Sequence, residues 1–291
     1  MRRLNLAVFW ISLMLLAASF GGAVHGLGDS LAVFRFWWAL LLGVSSFFLL
    51  AGYFRYALLG LGAIVLGASP MLAGYMGGDG GNPFRYSLYQ KNLLFNGTDP
   101  EAIKQDILEY LPDFVTLEEV SRKNRKMVAG LAQNFQSNLL CPFVGVGGVA
   151  IMSKWPMVED AKTCAGNQGM AAMQVLTPDG PVWLVSLHLH WPYPHRQREQ
   201  LAKLLPEIDR LDGPVILAGD FNMVPWSHTL FAVARATGSK RAGAVVNTYA
   251  HEVVPLRLPI DHVLVPGGVG RLEVRPQLGS DHFGLLLRFD L

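Results

Sequence analysis

Gly219-Asp220-Phe221-Asn222 closes an apolar run, Pro214 to Ala218, and sets a carboxylate and a carboxamide on either side of one aromatic residue. Strand alternation would turn Asp220 and Asn222 to one side and Phe221 back into a core. Such a pair offers a proton acceptor and a neutral donor, suited to orienting a water and stabilising charge that builds on an oxygen. The same residues also make an ordinary Asx turn, so the stretch alone leaves both readings open. Other apolar runs end the same way. Asn92 follows Tyr86 to Lys91, Glu118 and Glu119 follow Asp113 to Leu117, and His188 follows Val182 to Leu187. Asp261 opens the run to Val265, and Ser280-Asp281-His282 precedes Leu285 to Phe289. Loops at strand ends converge on one rim of an α/β core, which makes these residues a candidate catalytic constellation.

The intervening segments read as the elements that position it. Thr98-Asp99-Pro100-Glu101 starts a helix with Thr98 as cap, Ile103, Ile107 and Leu111 form its apolar stripe, and Pro112 ends it. Gly147 to Ser153 is a further strand, and His195 to Leu211 a helix kinked at Pro206. Ser227 caps a short helix that stops near Gly238. Arg122, Lys123, Arg125 and Lys126 read as a solvated helix face. His188 and His190 have the spacing of a zinc pair, but no third ligand follows at close spacing, which argues against zinc.

The front of the chain is different in kind. The 291 residues are 51% hydrophobic with a mean hydropathy of +0.31, and the excess lies before residue 77. Leu6 to Val24, Phe36 to Phe54 and Tyr56 to Met76 are free of charge, and each is long enough to cross a bilayer core of ~30 Å. Residues 1–76 are therefore expected to be a membrane anchor of three transmembrane helices, and 77–84 a Gly-rich linker. Residues 85–291 are then one α/β domain. Arg2, Arg3 and Arg55 fall on one side of such an anchor. The positive-inside rule then places the 85–291 domain outside the cytoplasm, with Arg35 counting against it. That domain carries about 20 basic and about 20 acidic residues, so it lacks the broad positive field that holds duplex DNA by its phosphates. Cys141 and Cys164 are the only cysteines; a disulfide and two buried thiols both remain open.

The order Asn92, Leu117-Glu118-Glu119, His188-Leu189, Gly219-Asp220-Phe221-Asn222, Ile260-Asp261-His262 and Ser280-Asp281-His282 resembles the endonuclease/exonuclease/phosphatase superfamily, in a membrane-anchored bacterial form. The resemblance implies a four-layer α/β sandwich, two mostly antiparallel sheets flanked by helices. It implies an enzyme that hydrolyses phosphodiesters with Mg²⁺ or Mn²⁺ by in-line attack of water. Glu119, Asn92 and Asp281 match metal positions. Asp220 matches the residue that orients the water, Asn222 a phosphate contact, and His282 the phosphate-site histidine steadied by Asp261. His188 matches a substrate-contacting proton donor. The acid that several members carry two residues after the asparagine is Leu94 here, which puts a second metal in doubt. Glu118 stands where glutamine is frequent, and alternation should turn it away from the site. The substrate implied is a phosphate ester of nucleic acid or, alternatively, a lipid head group or monoester; a catalytically inactive membrane binding module is the remoter reading. A nuclease should show a basic rim, with Lys154, Arg196 and Arg198 as candidates; a lipid-active enzyme should show exposed aromatics from Trp155, Trp191, Tyr193 and Trp226.

Overall fold

The computed structural model describes residues 2–75, 84–143, 145, 147–251 and 256–291. Two six-stranded sheets pack face to face. The first contains β1 (Tyr86–Asn92), β2 (Phe114–Val120), β3 (Ser137–Cys141), β4 (Gly148–Ser153), β13 (Gly270–Arg275) and β14 (Gly284–Phe289), in the order β13-β14-β1-β2-β4-β3. The second contains β5 (Met157–Thr163), β6 (Met170–Thr177), β7 (Gly180–His188), β8 (Val215–Asp220), β9 (Lys240–Arg241) and β12 (Asp261–Val265), in the order β5-β6-β7-β8-β12-β9. Among the described residues only β1–β2 and β7–β8 pair in parallel, so those four strands deliver their C-terminal ends to one rim. A short hairpin, β10 (Tyr249–Ala250) with β11 (Arg257–Leu258), lies outside both sheets.

Three apolar clusters define four layers. Leu88, Val149, Met173, Leu184, Ile216 and Leu287 fill the space between the sheets. The outer face of the first sheet packs on α5 (Pro100–Tyr110) and α6 (Arg125–Ala132), and that of the second on α7 (Gln197–Asp209) and α8 (His228–Thr237). The expected sandwich is therefore observed. One detail differs from the sequence reading and one open question is decided. Asp99, not Thr98, caps α5 by accepting from Ala102 N, and Cys141 and Cys164 form a disulfide joining the end of β3 to the end of β5.

The front of the chain needs a larger correction. It folds as α1 (Arg2–Ala18), α2 (Gly26–Val33), α3 (Arg35–Leu49) and α4 (Phe54–Tyr75), and among the described residues only α4 is long and apolar enough to cross a membrane on its own. The 17 residues of α1 and 15 of α3 reach only about 26 and 23 Å at 1.5 Å per residue. The expected first span stops at Ala18 because Gly21 and Gly22 form a tight turn against Asp29; a Cβ on Gly22 would sit 2.2 Å from Asp29 Oδ1. The expected second span, Phe36 to Phe54, is cut short where α3 ends at Leu49, and the chain bends by 68° just before it, where α2 meets α3. The Gly-rich linker falls, apart from Phe84, outside the described residues.

These helices are docked on the sandwich. Asp29 is buried and caps α8: its Oδ1 accepts from His228 N at 2.8 Å, and its Oδ2 from Thr229 N at 3.1 Å and Thr229 Oγ1 at 2.8 Å. Arg35, also buried, donates to Ser19 O at 2.6 Å and to Trp226 O at 3.3 Å, and Trp226 Nε1 donates to Ala32 O at 2.8 Å. Arg35 is thus spent on this contact.

Candidate active site

The rim where β1, β2, β7 and β8 end gathers Asn92, Glu119, His188, Asp220, Asn222, Asp261, Asp281 and His282. Gly219 makes the approach of β8 to β7 feasible: a Cβ there would meet Leu187 O at 2.0 Å. One residue on, Asp220 is buried, and three donors converge on it. Asn222 N donates to its Oδ1 at 2.8 Å, Asn92 Nδ2 donates to its Oδ2 at 3.0 Å, and His282 Nε2 stands 3.8 Å away. Asn222 lies beyond the strand with φ 48°, so it does not share a strand face with Asp220. The Asx turn and the site are the same structure. Its Nδ2 also donates to Leu189 O at 2.7 Å, which fixes the carboxamide across the β7–β8 rim.

Glu119 reaches the rim by a bulge. The β2–β4 register shifts between Leu117 and Val120, and Glu119 adopts φ 57°, a left-handed conformation that non-glycine residues seldom hold without a functional reason. Its Oε1 accepts from Asn92 Nδ2 at 3.1 Å and its Oε2 from Phe95 N at 2.7 Å. Asn92 thereby bridges Glu119 and Asp220, while its own oxygen accepts from Leu94 N.

His282 Nδ1 donates to Asp261 Oδ2 at 2.8 Å, and Asp281 Oδ1 lies 4.0 Å from the other ring nitrogen. Burial works against a charged imidazole, but Asp261, Asp220 and Asp281 outweigh it and hold the His282 pKa at about 10. His188 is the opposite case. Burial, aided by the charge of His282, pulls its pKa down to about 3, so it is neutral, with Nε2 3.6 Å from Asp220 Oδ2 and 3.9 Å from Glu119 Oε1. Burial, together with the carboxylates of Asp261 and Glu119, raises Asp220 above the usual carboxylate range.

Two buried residues support the site without having been expected to. Glu118, read from alternation as turned away, lies fully buried between the sheets. It accepts from Ser186 Oγ at 2.7 Å and from Gln90 Nε2 at 2.8 Å, and the same Gln90 nitrogen donates to Asp261 Oδ1 at 2.9 Å. Burial pushes its pKa well above the carboxylate range. Lys91 sends Nζ to the carbonyls of Pro276, Gln277 and His282 at 3.0, 2.8 and 2.6 Å, which pins the loop that carries His282. A lysine and a glutamate inside otherwise strand-like runs were the only sequence signal for either.

The donor set suits a hard divalent cation. Ligand atoms of Glu119, His188 and Asp220 lie within 4.8 Å of one another, and Asp281 Oδ1 is buried with no hydrogen-bond partner among the described residues. Glu119 has its pKa raised by burial, the condition a cation beside it would relieve.

Residues 90–282 match the Endonuclease/Exonuclease/phosphatase family. The chain belongs to that family. It is accordingly a hydrolase of phosphate esters, of a family whose members depend on divalent metals. No curated protein matches the sequence significantly. Solved structures match the fold at low identity. A family protein from Leptotrichia buccalis is 12% identical, with 71% of this chain and 100% of that chain covered at TM-score 0.56. The beta toxin of Staphylococcus aureus, with bound magnesium ions, is 13% identical over 70% of this chain and 99% of its own, at TM-score 0.54. Sphingomyelinase C from Streptomyces griseocarneus is 18% identical over 72% of this chain and 100% of its own, at TM-score 0.51.

The rim candidates separate. Lys154 lies at the far end of the sandwich beside Asp113, and Trp155 packs there against Tyr86. Arg198 donates to the carbonyls of Gly22 and Ala23, and exposed Arg196 faces Glu199. The rim instead carries aromatic rings: Trp191 stacks edge-on against Tyr249 at 5.7 Å, and Tyr249 lies 5.2 Å from His282.

Proposed function

We propose that this chain is a membrane-anchored phosphodiesterase that hydrolyses its substrate by in-line attack of a water on phosphorus. The observation that carries the reading is the array Asp261–His282–Asp220 beside Glu119, buried at one rim and bridged by Asn92. Asp220 takes the proton of the attacking water, with its carboxylate aimed by the N–H groups of Asn92 and Asn222. Charged His282, held by Asp261, and the carboxamide of Asn222 stabilise the phosphate oxygens as charge builds on them. His188 faces the leaving oxygen. Burial expels charge from an unpaired imidazole but strengthens its pairing with an anion, so bound phosphate restores the proton that His188 then donates as the P–O bond breaks. Glu119 with Asp281, beside Asn92, would hold Mg²⁺ or Mn²⁺, which would supply Lewis-acid stabilisation of the phosphate.

The surface of the helices supports association with a bilayer. Leu41, Phe48, Leu59, Val65, Leu66 and Leu72 are exposed on α3 and α4, an apolar area too large for an unpartnered surface in water. Asn5 donates to Ser45 O and Gly67 packs on Leu16, so Arg2, Arg3 and Arg55 gather at the end of the bundle away from the sandwich. With α4 crossing the membrane, that charge and the Cys141–Cys164 disulfide both favour a catalytic domain outside the cytoplasm. The aromatic rim favours a membrane-borne phosphodiester over nucleic acid.

The test is hydrolysis of bis-p-nitrophenyl phosphate by the full chain in detergent, with Mg²⁺, Mn²⁺ and chelator, beside DNA and a monoester. Turnover that needs metal and is lost in His282→Ala is expected. No turnover of any substrate in any metal sinks the reading.

A further inference from the structure

The helices dock at the same end of the sandwich that carries the site. Three of the loops leaving that rim touch them. Tyr193 meets His25 and Ser30, Trp226 meets Ala32 and Arg35, and the β10–β11 hairpin faces α3 and α4. Between that hairpin and the two helices lies a cleft of about 670 Å³, within the usual size of a ligand site. Phe36, Trp37 and Met71 form its helix wall, and Trp226, Ala250 and Leu258 its sandwich wall. The walls are tied together rather than merely adjacent: Trp226 bonds Ala32 and Arg35, and Val245 N donates to Gly74 O at 3.0 Å.

We propose that this cleft holds a hydrocarbon chain of a membrane phospholipid whose phosphate sits at His282; the proposal rests on the phosphodiesterase reading above. Three observations identify the occupant. The described lining is mostly apolar and aromatic, and among the described residues it includes no acidic side chain, while exposed Arg257 offers a cation to an anionic head group. Phe36 and Trp37 are over half exposed on α3, so the cleft is continuous with the apolar exterior of the bundle, and a ligand entering it comes from where that exterior lies. The cleft and the site are also neighbours. Ala250 lines the cleft, and Tyr249 next to it, paired with Leu258 across the hairpin, lies against His282. Ala250 and Tyr249 are consecutive, so a single strand of the hairpin links the cleft wall to the ring beside His282.

The experiment compares the full chain in detergent on bis-p-nitrophenyl phosphate and on monomeric phospholipids with acyl chains of four, six and eight carbons. In the wild type, kcat/KM is expected to climb severalfold with each extension, bounded by about fourfold per methylene buried. Met71→Trp, which fills the cleft, and Trp37→Ala, which removes an exposed wall and leaves the fold intact, should both flatten that climb and leave bis-p-nitrophenyl phosphate turnover unchanged. A flat wild-type series with the simple diester still hydrolysed overturns the cleft and leaves the phosphodiesterase reading standing. A climb that survives in the folded variants overturns it as well. Should neither substrate be hydrolysed, the phosphodiesterase reading fails first, and binding decides the cleft. A lysophospholipid with a photoactivatable chain should then label the peptide containing Leu258; labelling confined to Leu59, Val65 and Leu66 overturns the proposal.

Discussion

At one end of the strands Asp220, Asp261, Glu118 and His282 lie buried, and Glu119 and Asn222 hold left-handed backbone. At the other end Arg85 pairs with Asp179 and Lys154 with Asp113 on side chains that water reaches. The same strands run through both ends, so propensity and core packing do not distinguish them. What differs is desolvation. Charges at the outer end lose little hydration and gain little from pairing. Those at the site end are costly to bury, and each persists only because a named partner satisfies it. The contrast extends to the helices: the buried Asp29 and Arg35 that dock them belong to the site end. Function is concentrated where the fold is least relaxed.

The strongest way to break this comparison is to remove charge from the site end. His282→Ala and Asp261→Asn should each lower kcat at saturating Mg²⁺ by roughly 10³-fold, since general acid–base and electrostatic contributions of this kind are each worth about 10²–10⁴. A loss below tenfold in steady-state assays would mean the buried array is structural. Next in size is Glu118. Burial favours its neutral form, so Glu118→Gln keeps an uncharged, hydrogen-bonding group of the same shape and should hold activity within a few-fold. Glu118→Ala strips partners from Ser186 and from Gln90, which steadies Asp261, and should cost about 10- to 100-fold in kcat with about 1–3 kcal/mol of stability. Thermal melts alongside kinetics separate the two. Equal losses in both variants would show that a charged Glu118 is required.

Glu118 also marks where the sequence stops being legible. Apolar runs ending in polar residues are visible because burial and strand length leave a pattern of their own, and Asn92, Glu119, His188, Asp220, Asp261 and His282 all came from it. Period-two alternation, however, assumes an unbroken ladder. The bulge that breaks it between Leu117 and Val120 is a property of pairing with β4, written in neither segment alone. The helices fail for a similar reason. Hydropathy found the apolar stretches, but the end of α1 and the bend before α3 are set by Asp29 and Arg35 docking on α8 and Trp226, contacts across nearly 200 residues. The disulfide was undecidable until β3 and β5 were placed beside each other.

Buried histidines extend the comparison to pH. His262 sits inside the site end with Nε2 donating to Met223 O at 2.7 Å, and burial lowers its pKa to about 4 from an ordinary 6.5. The folded state therefore holds fewer protons than the unfolded chain between those values. Its contribution is fully present above about pH 6.5 and is lost as the pH falls toward 4, by about 3 kcal/mol at 1.36 kcal/mol per unit. Melting temperature followed from pH 7 to 4 should decline less steeply in His262→Phe, whose ring keeps the contact with Phe221. Identical slopes would assign the acid sensitivity elsewhere.

The smallest expected effect is the most informative about the contrast itself. Arg85 and Asp179 form an ion pair at the outer end, with Tyr86 OH donating to the same carboxylate at 2.8 Å. Their side chains are 61% and 39% exposed; pairing raises the Arg85 pKa, and the Tyr86 hydroxyl together with Arg85 lowers that of Asp179, without either group leaving water. An exposed pair is screened by salt and trades protein partners for water at little net gain. Arg85→Ala should therefore leave kcat, KM and the melting temperature unchanged within error, at low and at high ionic strength. Asp179→Ala, which also releases Tyr86, should shift only the melt, and slightly. A twofold fall in turnover from either substitution would show that strain at the outer end reaches the site through β1 and β7, and the two ends would then have to be treated as one coupled unit.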